Sequence, residues 1–218
     1  MKKSTALWIS FFLVFMNGCS TPVSHISVSP PARNGIQRIE TVILHAGMEQ
    51  VWNHVLSKVM ESPFKIKNID SASHILSVVI SGNPSLYIDC GTKKIVTNRS
   101  VREVVNAAQS YEYSIYRQNH LDTYSISNQV NGKAILFVSG DARISSIRVK
   151  IDLELISSQQ MSTTQGTFYG TSKRFTLNPS RDDQKAIDEF GTTCQSTGKF
   201  ETEVRGLVDL AEFRKFER

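Results

Sequence analysis

The sequence predicts an α+β fold in which an antiparallel sheet packs on a long C-terminal helix. Three patterns carry that prediction. Ile147, Val149, Ile151, Leu153 and Leu155 alternate with Arg148, Lys150, Asp152 and Glu154, the period of two expected of a half-buried antiparallel strand. Val51, Trp52, Val55, Leu56 and Val59 recur at helical spacing, with Asn53, His54 and Lys58 on the other side. Phe200, Val204, Leu207, Val208 and Ala211 fall on one face of a helix running from about residue 198 to 213.

The elements follow in chain order. A strand over Ile36 to Leu44 precedes a helix over Met48 to Met60, and Trp52 on its apolar face is a core anchor rather than a stacking platform for a ligand. Phe64 to Ile69 and Ile75 to Ile80 form two short strands joined by a turn at Asp70-Ser71-Ala72-Ser73, where small polar residues favour chain reversal. Ser81-Gly82-Asn83-Pro84 breaks the pattern and leads into Tyr87-Ile88-Asp89-Cys90-Gly91, and residues 92 to 106 carry no decisive period. Tyr111, Tyr113 and Ile115 alternate with Ser110, Glu112 and Ser114 as a further strand, and Asn131-Gly132 and Gly140-Asp141 supply turns. Ser180, Asp182 and Asp183 open a short helix, Ala186 to Phe190, that stops at Gly191. Gly206 costs the C-terminal helix about 1 kcal/mol relative to alanine, so its stability depends on packing.

The N-terminus carries an address. Lys2 and Lys3 precede an apolar run from Ala6 to Met16, followed by Asn17-Gly18-Cys19-Ser20, the order of an export signal. The run rises only about 16 Å as a helix, roughly half of a hydrocarbon core, which makes it a poor permanent span. With the cysteine directly after Gly18, the segment resembles the lipobox of bacterial lipoproteins, departing from it at Met16 and Asn17. The resemblance implies a signal peptide over residues 1–18, cleavage before Cys19 and acyl chains on Cys19 that hold the protein on a membrane. Ser20 rather than Asp after the cysteine implies, by the enterobacterial sorting pattern, the outer membrane with the domain facing the periplasm. Residues 19–35, with Pro22, Pro30 and Pro31 among serines, read as a tether. Residues 36–218 read as a single globular domain.

Composition narrows the function classes. Removing residues 1–18 takes away Lys2 and Lys3 and lowers the formal charge from +5 to +3, far from the basic stripe of a nucleic-acid binder. Cys90 and Cys194 then remain as an even pair in an oxidising compartment, and a disulfide is the natural reading. Unpaired structural thiols, or Cys90 as a nucleophile, are the alternatives.

The order of strand, helix, several strands and C-terminal helix resembles the helix-grip arrangement. More specifically, VWNHVLSKVMESPFKIKNIDSASHILSVVI resembles the strand-to-helix lead-in of the C-type lipoprotein of the outer-membrane Bam assembly complex, over about residues 36 to 81. The resemblance implies the fold; the anchor, the tether and the missing catalytic motifs point to an accessory subunit of an outer-membrane or cell-wall machine.

Motifs of catalysis are missing: the sequence has no Gly-x-Ser-x-Gly elbow, no His-Glu-x-x-His site and no Gly-x-Gly-x-x-Gly loop. Gly191 to Phe200 approaches a phosphate loop but places Thr193 and Phe200 where glycine and a hydroxyl are needed, so it reads as a turn entering a helix. His25, His45, His54, His74 and His120 show no metal-ligand spacing, and Asp182 and Asp183 suit a helix start. Tyr111, Tyr113, Phe137, Phe168 and Tyr169 either line a cavity or fill the sheet core. The expectation is therefore a non-enzyme without cofactor or metal, held by Cys19 and binding an envelope protein. A carrier of a lipid or other apolar ligand is the alternative, and an envelope hydrolase a third reading.

Overall fold

The computed structural model describes residues 25–31, 41–97, 100–104, 106–117, 120–164, 166, 168–177, 185–188 and 191–209. Residues 1–18, read from sequence as a signal peptide, Cys19 and the acidic pair Asp182 and Asp183 lie outside the described residues. In chain order the elements are β1 (His25–Ser29), β2 (Val42–Leu44), α1 (Met48–Met60), β3 (Lys65–Asp70), β4 (Ile75–Gly82), α2 (Pro84–Tyr87), β5 (Ile88–Asp89), β6 (Thr92–Thr97) and β7 (Ser100–Val104). They continue with β8 (Tyr111–Arg117), β9 (His120–Gly140), β10 (Ser145–Thr163), β11 (Phe168–Leu177), β12 (Lys185–Ala186), β13 (Thr193–Ser196) and α3 (Lys199–Val208).

The spine is the antiparallel pair β9 and β10, in register from Asp122↔Thr163 to Gly140↔Ser145. Its tight end uses Gly140, at φ 147°, and Asp141, whose Oδ1 accepts the backbone N–H groups of Arg143 and Ile144 at 2.7 and 2.9 Å. Every even-numbered residue of β9 from Asp122 to Val138 is buried, and the odd-numbered ones are half-buried or exposed. One face of this sheet therefore carries the core and the other meets solvent.

Shorter strands divide the spine into two halves. At the Gly140 end, β4 pairs with β9 over Val130–Phe137, β3 pairs with β4, and β2 pairs with β10. Helix α1 lays Val51, Trp52, Val55 and Val59 on this half, against Leu76, Val78, Leu136 and Ile147. Each such side chain stabilises the fold by roughly 1.5–3 kcal/mol when fully buried. At the other end, β8 flanks β9 and β11 flanks β10, while β1, β6 and β7 form a separate small sheet. Ile95 of β6 packs that small sheet onto Tyr113, Ile115, Tyr124 and Ile126.

The architecture is mostly β, which overturns the α+β, helix-grip-like expectation. Helix α3 buries the predicted stripe of Phe200, Val204, Leu207 and Val208, but Asp209 at φ −80° and ψ 82° leaves the helical region. Ten residues rise about 15 Å, whereas the 21 residues of β9 extend roughly 70 Å. A helix that short covers one end of the sheet and cannot be gripped along its length. Ala211 lies outside the described residues.

Three local expectations also change. Asn131-Gly132 forms no turn: Asn131 pairs with Glu154 and Gly132 with Leu153 inside the spine. A Cβ on Gly132 would lie 2.8 Å from Ile80 Cγ2 and 2.9 Å from Phe200 Cζ, so this glycine serves close packing under the Phe200 ring. Lys185 and Ala186 are strand, paired with Cys194 and Thr193, where a helix was expected from Ala186. Finally, His25–Ser29, inside the stretch read as a tether, pairs with β6 from His25↔Val96 to Ser29↔Thr92. The backbone gains ladder hydrogen bonds there that composition does not announce. The helix Met48–Met60 and the hairpin turn after Asp70 are as predicted.

The disulfide is present: Cys90 and Cys194, 104 positions apart in sequence, are bonded with Cα atoms 4.0 Å apart. Beside it, Ser196 Oγ donates to Oε1 of the buried Glu201 at 2.7 Å. Burial outweighs that hydrogen bond and raises the Glu201 carboxyl above its ordinary 4.5. A raised folded-state pKa contributes stability that is fully present below the unfolded value and lost as pH rises through the folded one. Melting temperature is therefore expected to fall as pH rises above 4.5, and pH-resolved melts of Glu201→Gln should lack that component.

Candidate functional site

The half of the spine away from the tight turn builds a cleft, and strand periodicity decides which side chains line it. Successive residues alternate faces and paired residues share one, so cross-strand register sorts the buried face into rows. Tyr113, Tyr124, Met161 and Tyr169 form one row across β8, β9, β10 and β11. Two residues along, Tyr111, Ile126, Gln159 and Thr171 form the next. Asn128, Ser157 and Lys173 form the third. These rows bound a cleft of about 270 Å³.

The inner rings engage each other. Tyr113 stacks on Tyr124 at 4.9 Å between centroids and 7° between planes, and on Tyr111 at 6.0 Å and 25°. Tyr169, at the end of its row on β11, is 59% exposed. Asn128 is buried among the rows. Its Nδ2 donates to the carbonyls of Ala107 and Gln109 at 3.1 and 3.0 Å, and these two acceptors fix the orientation of the amide. Its Oδ1 is buried with no donor among the described residues.

A charged pair closes one wall. Lys93, on β6, is 2% exposed, and its Nζ donates to Asp188 Oδ2 at 2.7 Å. The ammonium lies 5.7 and 5.8 Å from the Tyr111 and Tyr113 ring centroids, where the electron-rich faces favour a cation. Thr192 steadies the carboxylate, its Oγ1 donating to Oδ2 at 2.6 Å and its backbone N–H to Oδ1 at 3.0 Å. Burial, and the Asp188 charge beside it, push the Tyr111 hydroxyl well above the tyrosine range, so it stays a neutral donor.

Burial also pushes the Asp188 carboxyl upward, but the hydrogen bonds from Lys93 and Thr192 outweigh it and hold the group below its ordinary 3.8. A lowered folded-state pKa contributes stability that is present above the unfolded value and lost as pH falls through the folded one. Wild-type protein is expected to lose stability between about pH 5 and pH 2, and Asp188→Asn should lose less over that window. Urea titrations across it measure the difference.

The disulfide positions this wall. Cys90 immediately precedes the β6 segment that carries Lys93, and Cys194 lies on β13, whose hairpin with β12 carries Asp188. Asn106 adds to the junction, with Oδ1 accepting from Cys90 N and Ala108 N and Nδ2 donating to the Ile88 carbonyl. The crosslink and the Lys93–Asp188 pair thus join the same two segments.

Of the aromatics proposed from sequence, Tyr111, Tyr113 and Tyr169 meet at the cleft. Phe137 does not; it is an odd-numbered residue of β9, opposite Ile75 and Arg148 at the other end of the spine. The side chain of Phe168 lies outside the described residues. Trp52 is in the core, edge-on to His74 at 5.3 Å. Cys90 is in the disulfide and so is no thiol nucleophile. Sequence reasoning missed Tyr124, Asn128, Lys93 and Asp188. Tyr124 could have been found from the unbroken even-numbered pattern of β9, but nothing local distinguishes Lys93 from its neighbour Lys94. No cluster of three or more His, Cys, Asp or Glu residues suited to a metal occurs among the described residues. No helix among them is long and apolar enough to cross a membrane.

Fold and site together define a mostly-β domain with one covered sheet face and a tyrosine-lined cleft at one end of it. No family model matches the chain, and no curated protein or solved structure is significantly similar to it.

Proposed function

We propose that this chain is an envelope lipoprotein, held on the outer membrane by acyl chains on Cys19, whose periplasmic domain binds a small ligand without transforming it. The observation that supports binding is the cleft itself, where aromatic and hydrogen-bonding side chains from four strands converge on about 270 Å³. That volume is near the lower limit of small-molecule sites, about 300–1,000 Å³. The polar lining favours a ligand with hydrogen-bonding groups over a purely apolar one, because covering Gln159 or Ser157 with hydrocarbon would leave them unpaired at a cost of about 1–3 kcal/mol each. The anchor rests on the lipobox-like residues up to Ser20. Labelled palmitate is expected to enter wild-type protein and not Cys19→Ser.

Binding is tested by saturation-transfer NMR on the full chain in detergent, with a mixture of small ring compounds as probes. Hits should compete for one site and weaken in Tyr169→Ala; hits indifferent to Tyr169→Ala and Gln159→Leu alike would remove the cleft from consideration. An accessory role in an envelope complex is supported by a different feature. Ile66 and Ile69 of the edge strand β3 are 40% and 44% exposed, and Met60, at the end of α1, is exposed too. A photo-crosslinker at position 66 in intact cells should capture a partner, and formation of no adduct would count against that role.

A further inference from the structure

We infer that the cleft takes a neutral, polyhydroxylated ring, a single sugar residue lying against Tyr169. This deepens the small-ligand reading and rests on it. The charges of the cleft wall are balanced. Lys93 and Asp188, 2.7 Å apart, cancel each other, so the wall they form offers neither an anion nor a cation an unopposed partner. A cationic ligand is further disfavoured because the Lys93 ammonium already lies over Tyr111 and Tyr113. Lys173 adds a positive charge to the lining, where its exposed side chain is solvated.

Hydrogen-bonding capacity points the same way. Ser157 and Thr171 hydroxyls and the Gln159 amide each donate and accept, and they occupy adjacent positions in two neighbouring rows. A ring bearing several hydroxyls, each also donor and acceptor, matches such a lining better than a ligand that only accepts or only donates. Asn128 also belongs to the lining, and its buried Oδ1 has no donor among the described residues. The aromatic contact falls to Tyr169. Tyr111, Tyr113 and Tyr124 stack among themselves, whereas Tyr169 is 59% exposed. The face of a sugar ring presents C–H groups to the electron-rich face of tyrosine, and a small cleft admits one ring.

The full chain in detergent is probed by saturation-transfer NMR with N-acetylglucosamine, methyl β-glucoside, choline and benzoate. The expected result is saturation of the sugar ring protons, with affinity reduced at least about ten-fold, or about 1.4 kcal/mol, in Tyr169→Ala and Gln159→Leu. Binding of benzoate or choline at the Tyr169-dependent site without sugar binding would overturn the sugar assignment and leave the cleft as a binding site. Sugar binding that both substitutions leave unchanged would place the sugar elsewhere and overturn the inference. If no probe binds, both the sugar assignment and the small-ligand reading fall. Retention on purified peptidoglycan sacculi, released by N-acetylglucosamine, would support a wall glycan as the source; sugar binding without retention would support a free sugar.

Discussion

Reducing the Cys90–Cys194 disulfide, or replacing both cysteines with alanine, is expected to lower the unfolding free energy by about 4.7 kcal/mol, the chain-entropy value for closing a loop of roughly a hundred residues. The separation of 104 residues spans most of the described strands, so an unfolded chain without the crosslink explores far more conformations. Urea titrations with and without reductant measure the loss at the transition midpoint. A change below about 1 kcal/mol would mean that the unfolded chain is already compact there. The same treatment should loosen the cleft wall, because the disulfide joins the segments that carry Lys93 and Asp188. Faster amide exchange is therefore expected around positions 93 and 188 than in the α1 half of the sheet.

Replacing Phe200 with alanine is expected to cost about 3–5 kcal/mol, since its ring is fully buried between Phe64, Tyr87 and Gly132. The reciprocal change, Gly132→Val, drives carbon into atoms already within 3 Å of a Cβ there and should cost about 1–3 kcal/mol by overpacking. The two sites touch, so their effects should not add. Gly132→Ala in a Phe200→Leu background should cost less than Gly132→Ala alone. A double-mutant cycle measured by thermal unfolding decides this, and strict additivity would show that Ile80 Cγ2, 2.8 Å from a Cβ there, excludes a side chain instead of the Phe200 ring.

The Gly132 site also explains where sequence reasoning went astray. Asn-Gly is a strong hairpin signal when its neighbourhood is local, but here the glycine makes room for Phe200, a residue far along the chain. Nothing near position 132 encodes that ring. The C-terminal helix failed differently. Its apolar face was legible, and Phe200, Val204, Leu207 and Val208 are buried as the spacing required. Its described length was not, because the last turn expected beyond Gly206 depended on packing partners that helical spacing does not identify. The strand His25–Ser29 was hidden for a related reason: its burial pattern alternates only between half-buried and exposed, so what orders it is backbone pairing with β6.

The cleft was half legible. Tyr111 and Tyr113 stand out in an alternating strand, yet alternation says only that they share a face with each other, not what faces them. Their meeting with Tyr124, Met161 and Tyr169 depends on the register of three strand pairs. Lys93 and Asp188 come together from residues 95 positions apart.

By itself the sequence determined the local elements whose period is carried by adjacent residues: the helix Met48–Met60, the hairpin after Asp70 and the alternation of Ile147 to Leu155. It also indicated the pairing of Cys90 with Cys194, through the even cysteine count left once Cys19 is assigned to lipid. Tertiary structure alone decided that β9 runs unbroken through Asn131-Gly132, that α3 covers only one end of the sheet and that tyrosines from three strands line a cleft. The physical reason is range. Periodicity reports which way a side chain points relative to its neighbours, whereas register, close packing and ion pairing depend on atoms that become neighbours only after the chain has folded.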